Sequence, residues 1–576
     1  MFIPVATASG PERVGLDMMQ QAVRLSARHC VRSMSNPAVQ IPAVDNEPLS
    51  NFMPGSKLLQ DVLKEVEQLR KEPMDIPIVI GGREIRTDNV KYQKIPHDHQ
   101  VNVAKFCYAD KSQISDAIES CLDARAKWEL TPWEHRAAVF LRAADLLAGK
   151  YRAKILATTM LGQSKTFQQA DIDAVAETVD FYRFAVQYGE DLYKMQPVHH
   201  SPGIWNRIEW RGLEGFIAAI APFNFTAIGG QLWGTPVLMG NCAVYKPCDT
   251  AIAAGYVLYQ LLQEAGMPDG VCNFVPSDGP EFGDTVVGHK DLAGISFTGS
   301  SPTFRTLWRA VGENIENYRT YPRLVGETGG KNYHLVHPTA CLESVVNGTI
   351  LSSFEYSGQK CSACSRMYIP ASLWDQVREK LVPATEALKI GSAEDTKSFT
   401  SAVIDAKSFS KIKSYIEFAK DDSSCEIIAG GVCDDSVGYY VQPTIIQTTD
   451  PECKLLHEEI FGPVLTVYVF DDADWDDTVK LVDRTSPYGL TGSIFCRDRP
   501  TLHETHKALR HTAGNIYFND KSTGSVVGQQ PFGGSRASGT NDKAVSLNLI
   551  SKWTSPQAIK ETLVPLTSHT YPYMDQ

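Results

Sequence analysis

Four short apolar runs, each too short for a helix, constrain the fold of this chain more than any other feature. They are Phe216-Ile217-Ala218-Ala219-Ile220, Cys242-Ala243-Val244-Tyr245, Val271-Cys272-Asn273-Phe274-Val275 and Leu292-Ala293-Gly294-Ile295-Ser296-Phe297. Hydrophobicity without alternation is the pattern of a strand covered on both faces. Helical segments fill the intervals, most clearly over 251–265. Strand–helix alternation builds a parallel sheet through right-handed crossovers, and such sheets bind ligands at the carboxyl ends of their strands. A second α/β region is expected from about 327 to 518, with strands at 439–446, 464–470, 492–496 and 514–518. Upstream, residues 58–71 read as a helix followed by an extended segment with strands. Residues 112–188 read as helical, with starts at Ser115-Asp116 and Thr131-Pro132. No internal repeat argues for a solenoid.

The chain has 576 residues, which predicts two or more domains. Its net charge of −12 argues against a nucleic-acid partner, because a polyanion needs a basic face. The 13 cysteines are odd in number and lack disulfide-framework spacing, which predicts a reducing compartment. No run of eighteen apolar residues predicts a membrane span. From Met18 to Val44 there is no acidic residue, while Arg24, Arg28 and Arg32 alternate with Ser26, Ser33 and Ser35. That composition resembles a mitochondrial transit segment, with a merely disordered basic tail as the alternative for residues 1–45, and a matrix location is expected. Glu12 and Asp17 precede it, and translation from Met18 or Met19 would leave them out.

Two glycine-flanked polar runs carry the first chemical hypothesis. Cys361 follows Gly358-Gln359-Lys360, and Glu327 precedes Thr328-Gly329-Gly330-Lys331. A thiol and a carboxylate on sharply bending backbone can serve as nucleophile and base; either residue alone is more often an inert turn or core position. Asn224, in Ala221-Pro222-Phe223-Asn224-Phe225, follows the first buried strand and either donates to a developing oxyanion or serves a turn. Lys246 ends the next strand, where a ribose or phosphate would lie, or is a solvated loop lysine. Asp249 is either a helix N-cap or a ribose contact that would favour NAD over NADP. Phe297-Thr298-Gly299-Ser300-Ser301-Pro302 closes a strand and opens a helix, offering N–H groups to phosphate. No G-x-G-x-x-G follows a strand. Cys361 and Cys364 have redox-pair spacing but no small βαβ context, and they lack the second pair that a zinc site needs. His503 and His506 are three apart on an expected exposed helix and read as solvated, so no metal is expected.

Taken in order, Pro222-Phe223-Asn224-Phe225, Lys246-Pro247, Phe297 to Ser300, Glu327 to Lys331, Gly358 to Cys361, Glu458-Glu459-Ile460-Phe461-Gly462-Pro463 and Pro531-Phe532-Gly533-Gly534 resemble the motifs of the aldehyde dehydrogenase superfamily, over roughly residues 75–560. The runs 358–366, 521–525 and 528–542 resemble the branch that acts on L-glutamate γ-semialdehyde. The resemblance implies an α/β fold with two open parallel-sheet domains and a small oligomerisation element. Residues 46–326 would bind NAD, with a bridging strand segment near 190–212. Residues 327–530 would be catalytic, and 531–576 would form a C-terminal return that joins a neighbouring subunit in a dimer or higher oligomer.

It further implies Cys361 as nucleophile, Glu327 as general base and Asn224 as oxyanion donor. Ala221, Lys246, Gly299, Ser300, Ser301, Pro302, Thr303, Glu459 and Phe461 would contact NAD. Ser362, Gly524 and Ser525 would cradle the substrate carboxylate, and Phe225 and Phe532 would line its aliphatic chain. Many superfamily members carry a glycine where this chain has Phe304. The implied reaction is NAD-dependent oxidation of the semialdehyde to L-glutamate, a step of proline degradation, through a thiohemiacetal and a thioester. The same chemistry on another aldehyde, a Cys361/Cys364 thiol–disulfide protein and an inactive structural relative are the alternatives. A CoA-acylating relative is disfavoured by the hydrolytic base Glu327.

Overall fold

The computed structural model describes residues 40–571 together with Tyr573 and Met574. The arginine-bearing segment read as a transit sequence lies outside the described residues. The chain separates into Met1–Pro42 and a larger unit, Ala43–Gln576, which holds all the described helices and strands.

The four apolar runs form adjacent parallel strands, Phe216–Ile220, Ala243–Lys246, Cys272–Phe274 and Leu292–Thr298. Arg323–Glu327 extends this sheet in parallel beside Leu292–Thr298, so Glu327 stands at a strand's carboxyl end. Two short strands, Ile78–Ile80 and Arg83–Ile85, close the other edge antiparallel and complete seven strands. Ile78–Ile80 is fully buried while Arg83–Ile85 is largely exposed, and strands were expected in this extended segment without a register, because three residues carry too little periodicity to set one.

The second sheet also has seven strands. Asn332–Val336 lies between Cys364–Pro370 and Thr491–Phe495, with Val464–Phe470, Thr444–Thr448 and Asn515–Phe518 further out in parallel. Cys425–Ala429 is an antiparallel edge. The single strand expected at 439–446 is two: Tyr440–Val441 pairs with Cys433–Asp434 in a separate ribbon, and Thr444–Thr448 joins the sheet. Pro443, which lacks an N–H, lies between them.

Helix starts follow their caps. Ser56 accepts the Leu59 N–H and opens Lys57–Lys71, which buries Leu59, Val62, Val66 and Leu69. The helix expected to start at Ser115-Asp116 instead spans Lys111–Trp128, because Asp110 and Gln113 form a reciprocal capping box four residues earlier. Pro132 is the N-cap of Trp133–Ala148, one position ahead of the expected placement. The helical region is interrupted by a π-helical stretch, Asp171–Glu177, between Phe167–Ala170 and Thr178–Tyr193. Ile204–Arg211 pairs antiparallel with Ser555–Thr562 in a two-stranded ribbon apart from both sheets.

Candidate active site

Helix Leu342–Phe354 ends in a turn at Glu355–Gly358, where Tyr356, Ser357 and Gly358 have φ of 51°, 51° and 65°. Three consecutive left-handed residues are costly and persist only where neighbours enforce them. Here Ser357 N–H donates to Thr400 Oγ1 at 2.7 Å, and the buried Gln359 accepts the Ile404 N–H at 2.8 Å. A Cβ on Gly358 would stand 2.3 Å from the Gly462 carbonyl oxygen, so glycine is required. The turn sets Cys361 just ahead of the strand Cys364–Pro370. Asn332 Nδ2 donates to the carbonyls of Cys361 at 2.7 Å and Ala363 at 2.9 Å, fixing the backbone around the sulfur.

Cys361 and Glu327 line one cavity with Ser362, Gly524, Ser525, Phe225 and Phe532. Cys361 as a residue is half-buried in the cavity wall. Burial pushes its thiol up to about 12, and the nearby carboxylates of Glu327, Glu459 and Glu177 add to the shift. Burial likewise raises Glu327 to about 8, opposed by the Gly534 N–H, which donates to its Oε2 at 2.9 Å, and by Lys543. A Cβ at Gly533 would meet the Glu327 carboxylate at 2.9 Å, so the glycine pair of Pro531-Phe532-Gly533-Gly534 lets backbone close over this acid. Asn224 is buried, and its amide donates to the Gln359 carbonyl at 3.3 Å, two residues from Cys361. Ser362 and Thr523 share a hydroxyl–hydroxyl bond of 2.6 Å beside Gly524, whose φ is +92°.

The residues expected to contact NAD lie at the strand ends. The Ala221 N–H donates to the Lys246 carbonyl at 3.1 Å. Among the described residues, the Lys246 ammonium donates to the Pro247 carbonyl at 3.4 Å. Ser300 caps helix Ser301–Glu313, whose first turn has no acidic residue, and Ser300, Pro302 and Thr303 are exposed. The Ser301 hydroxyl turns inward to Thr328 at 3.0 Å, while the Gly299 N–H is taken by the Glu327 carbonyl at 3.1 Å. Glu459 accepts the Gly330 N–H on Oε1 at 2.8 Å. Phe461 has φ of 62° and packs edge-on against Phe223, with centroids 5.7 Å apart.

An ammonium at a parallel strand end, a helix N-terminus free of acids and a carboxylate that holds the Gly330 N–H through one oxygen fit a dinucleotide. Phe304, at the position of the superfamily glycine, stacks on Phe297 at 5.3 Å. It faces inward over Gly326, where a Cβ would lie 2.2 Å from its ring, and so leaves the helix terminus clear. Asp249 is not an N-cap: it begins the 3₁₀ turn Asp249–Ala251, and its carboxylate accepts the Tyr108 hydroxyl.

Cys364 is buried in the core of the second sheet with Phe354 and Met367, and its thiol donates to the Arg366 carbonyl at 3.4 Å. That placement makes it a packed hydrophobe rather than the exposed partner of a redox pair.

Glu177 lines the same cavity and was not singled out in the sequence. Burial raises its carboxyl to about 8, with Asp173 adding to the shift and Lys165 and Lys360 opposing it. It lies in a helical run with no glycine punctuation or motif around it, so only the fold reveals its position.

Residues 85–559 match the aldehyde dehydrogenase family. The mitochondrial delta-1-pyrroline-5-carboxylate dehydrogenase of Danio rerio is 53% identical over 92% of this chain and 96% of its own length. The Homo sapiens protein of that name is 54% identical over 92% of this chain and 94% of its own. The crystal structure of the Delta-pyrroline-5-carboxylate dehydrogenase from Mycobacterium tuberculosis bound with NAD superimposes with a TM-score of 0.90 at 43% identity, covering 94% of this chain and 100% of that one.

Proposed function

The chain belongs to the aldehyde dehydrogenase family, and from that membership we propose that it oxidises L-glutamate γ-semialdehyde, the open form of delta-1-pyrroline-5-carboxylate, to L-glutamate with NAD. The observation that carries the reading is the make-up of one cavity. It joins a thiol and a base, Cys361 and Glu327, to a carboxylate, Glu177, and to the donors of Ser362, Gly524 and Ser525. A short aldehyde bearing an ammonium and a carboxylate at its far end complements that arrangement. Glu177, buried and raised to about 8, gains from a cation beside it. Hydroxyl and backbone donors suit the carboxylate without burying a second cation. Phe225 and Phe532 pack along the methylenes.

The Cys361 thiol, raised to about 12, does not ionise unaided near neutrality; Glu327 takes its proton, directly or through water. The sulfur adds to the aldehyde carbon. The oxygen that becomes negative is held by the Asn224 amide and the Cys361 N–H, and one such donor is worth about 3–4 kcal/mol at the transition state. The adduct becomes a thioester when its carbon loses a hydride as the C=O bond re-forms; NAD would supply the hydride acceptor, and Lys246, the turn 299–303, Glu459 and Phe461 would hold it. Once Glu327 has passed the thiol proton to solvent, it takes a proton from the water that hydrolyses the thioester, and the Cys361 thiolate that leaves with release of glutamate is reprotonated to the thiol.

Residues 46–326 serve the dinucleotide and 327–530 the thiol chemistry, with Glu327 at the seam. The protein acts in proline degradation in the mitochondrion, in its matrix. It assembles as a homo-oligomer through the ribbon of Ile204–Arg211 and Ser555–Thr562, beside which Trp205, Leu563, Val564 and Leu566 are exposed. NADH production from pyrroline-5-carboxylate, measured beside propanal and succinate semialdehyde, tests the substrate. The reading predicts a much higher kcat/KM for pyrroline-5-carboxylate, and equal values for all three would refute it.

A further inference from the structure

Helix Thr226–Leu238 begins directly after Asn224 and Phe225, yet its N-cap position is Phe225, which offers no side-chain acceptor. The first N–H groups of a helix need acceptors from somewhere. Asp173, on the π-helical stretch Asp171–Glu177, supplies them from 53 and 54 residues away: Oδ2 accepts the Thr226 N–H and Oδ1 the Ala227 N–H, both at 2.9 Å. A carboxylate at this end also complements the helix dipole.

The carboxylate is not alone. Lys165 Nζ donates to Asp173 Oδ2 at 2.6 Å, and both side chains are 1% exposed. The same ammonium sits 4.0 Å from the centroid of the Phe225 ring and 4.5 Å from that of Tyr356. Phe225 lines the cavity, and Tyr356 is the first of the three left-handed residues of the nucleophile turn. One fully buried pair thus holds the segment carrying Asn224 by its backbone, and it touches the segment carrying Cys361 by a ring face. Buried pairs of this kind add little net stability and are broken at high cost. Cation–π contacts strengthen when desolvated.

We propose that Asp173 and Lys165 are positioning residues for the reaction: together they fix the Asn224 loop against the Cys361 turn, and so set the distance between oxyanion donor and nucleophile. Neither touches the reacting atoms. The π-helical widening is what brings Asp173 under the helix start while Glu177, four residues on, faces the cavity. The inference rests on the catalytic roles of Asn224 and Cys361, and not on which aldehyde is oxidised.

The test is the first-turnover rate of NADH formation in Asp173→Asn, measured by stopped flow with pyrroline-5-carboxylate and with propanal, beside the NAD dissociation constant. A misplaced oxyanion donor predicts a fall of about 10–100-fold in that rate with both aldehydes, at unchanged NAD affinity. A folded variant that forms NADH within twofold of the wild-type rate, with only its melting temperature lowered, overturns the proposal. If Asp173→Asn does not fold, the double variant Lys165→Met with Asp173→Asn, which removes both charges of the pair, is read in the same way. Wild-type protein that oxidises propanal but not pyrroline-5-carboxylate would count against the substrate assignment and leave the positioning comparison intact on propanal.

Discussion

In the proposed reaction, the titration of Glu327 sets when the thiol can be deprotonated. Its carboxyl is raised by burial from 4.5 to about 8, so at neutral pH most molecules hold it protonated and unable to accept a proton. The base form grows as pH rises through about 8, and kcat is expected to rise over the same window. Glu327→Gln removes the titrating group, so its residual rate should be low and should lack that limb. A pH–rate profile in which the variant keeps the rise would assign it to another group. Cys361, Glu327 and Asn224 were legible in the sequence because each sits in a run whose glycines or prolines mark bent backbone. Asp173, Lys165 and Glu177 were not. Their work depends on a π-helical register and on a helix start more than fifty residues downstream, neither of which leaves a local pattern.

At the scale of elements, the nucleophile turn shows how close approach replaces side-chain packing. Gly358 at φ 65° faces the Gly462 carbonyl oxygen, and a Cβ would stand 2.3 Å from it. Backbone cannot retreat as a flexible side chain can, so Gly358→Ala is expected to destabilise the protein by about 1–3 kcal/mol. It should also depress kcat by displacing Cys361. Denaturant unfolding and NADH assays on one preparation check both, and an unchanged midpoint would show that the turn relaxes freely. The buried strands of both sheets were legible because double-sided burial leaves continuous apolar runs. Strands were expected in the segment around 78–85, but their antiparallel pairing and the split of 439–446 were not legible, since two- and three-residue strands have no period to read and their pairing is set by tertiary contacts.

Across the whole molecule, long-range ties hold distant segments together. Glu394 takes the Arg70 guanidinium of the first described helix and the His97 ring, at 2.5 and 3.0 Å. Burial alone would raise the Glu394 carboxyl, but hydrogen bonds from His97 and Arg70 outweigh it and hold it down to about 2. A group with a depressed folded-state pKa lends stability that is present above its unfolded value and lost as pH falls through the folded one. The difference in melting temperature between wild type and Glu394→Gln is therefore expected to hold above pH 4.5 and to narrow toward about 2. A difference independent of pH would show that the charge contributes nothing. The two-sheet architecture followed from strand–helix alternation; which segments such ties join did not, because an ion pair 324 residues apart leaves no trace in composition.

The proposed chemistry begins at Cys361, which lines a cavity together with Glu327. The direct measurement is NADH formation from pyrroline-5-carboxylate by Cys361→Ala, shown to be folded by its melting curve. The predicted result is a rate no higher than that of the reaction without protein; NADH formation at the wild-type rate would contradict the account.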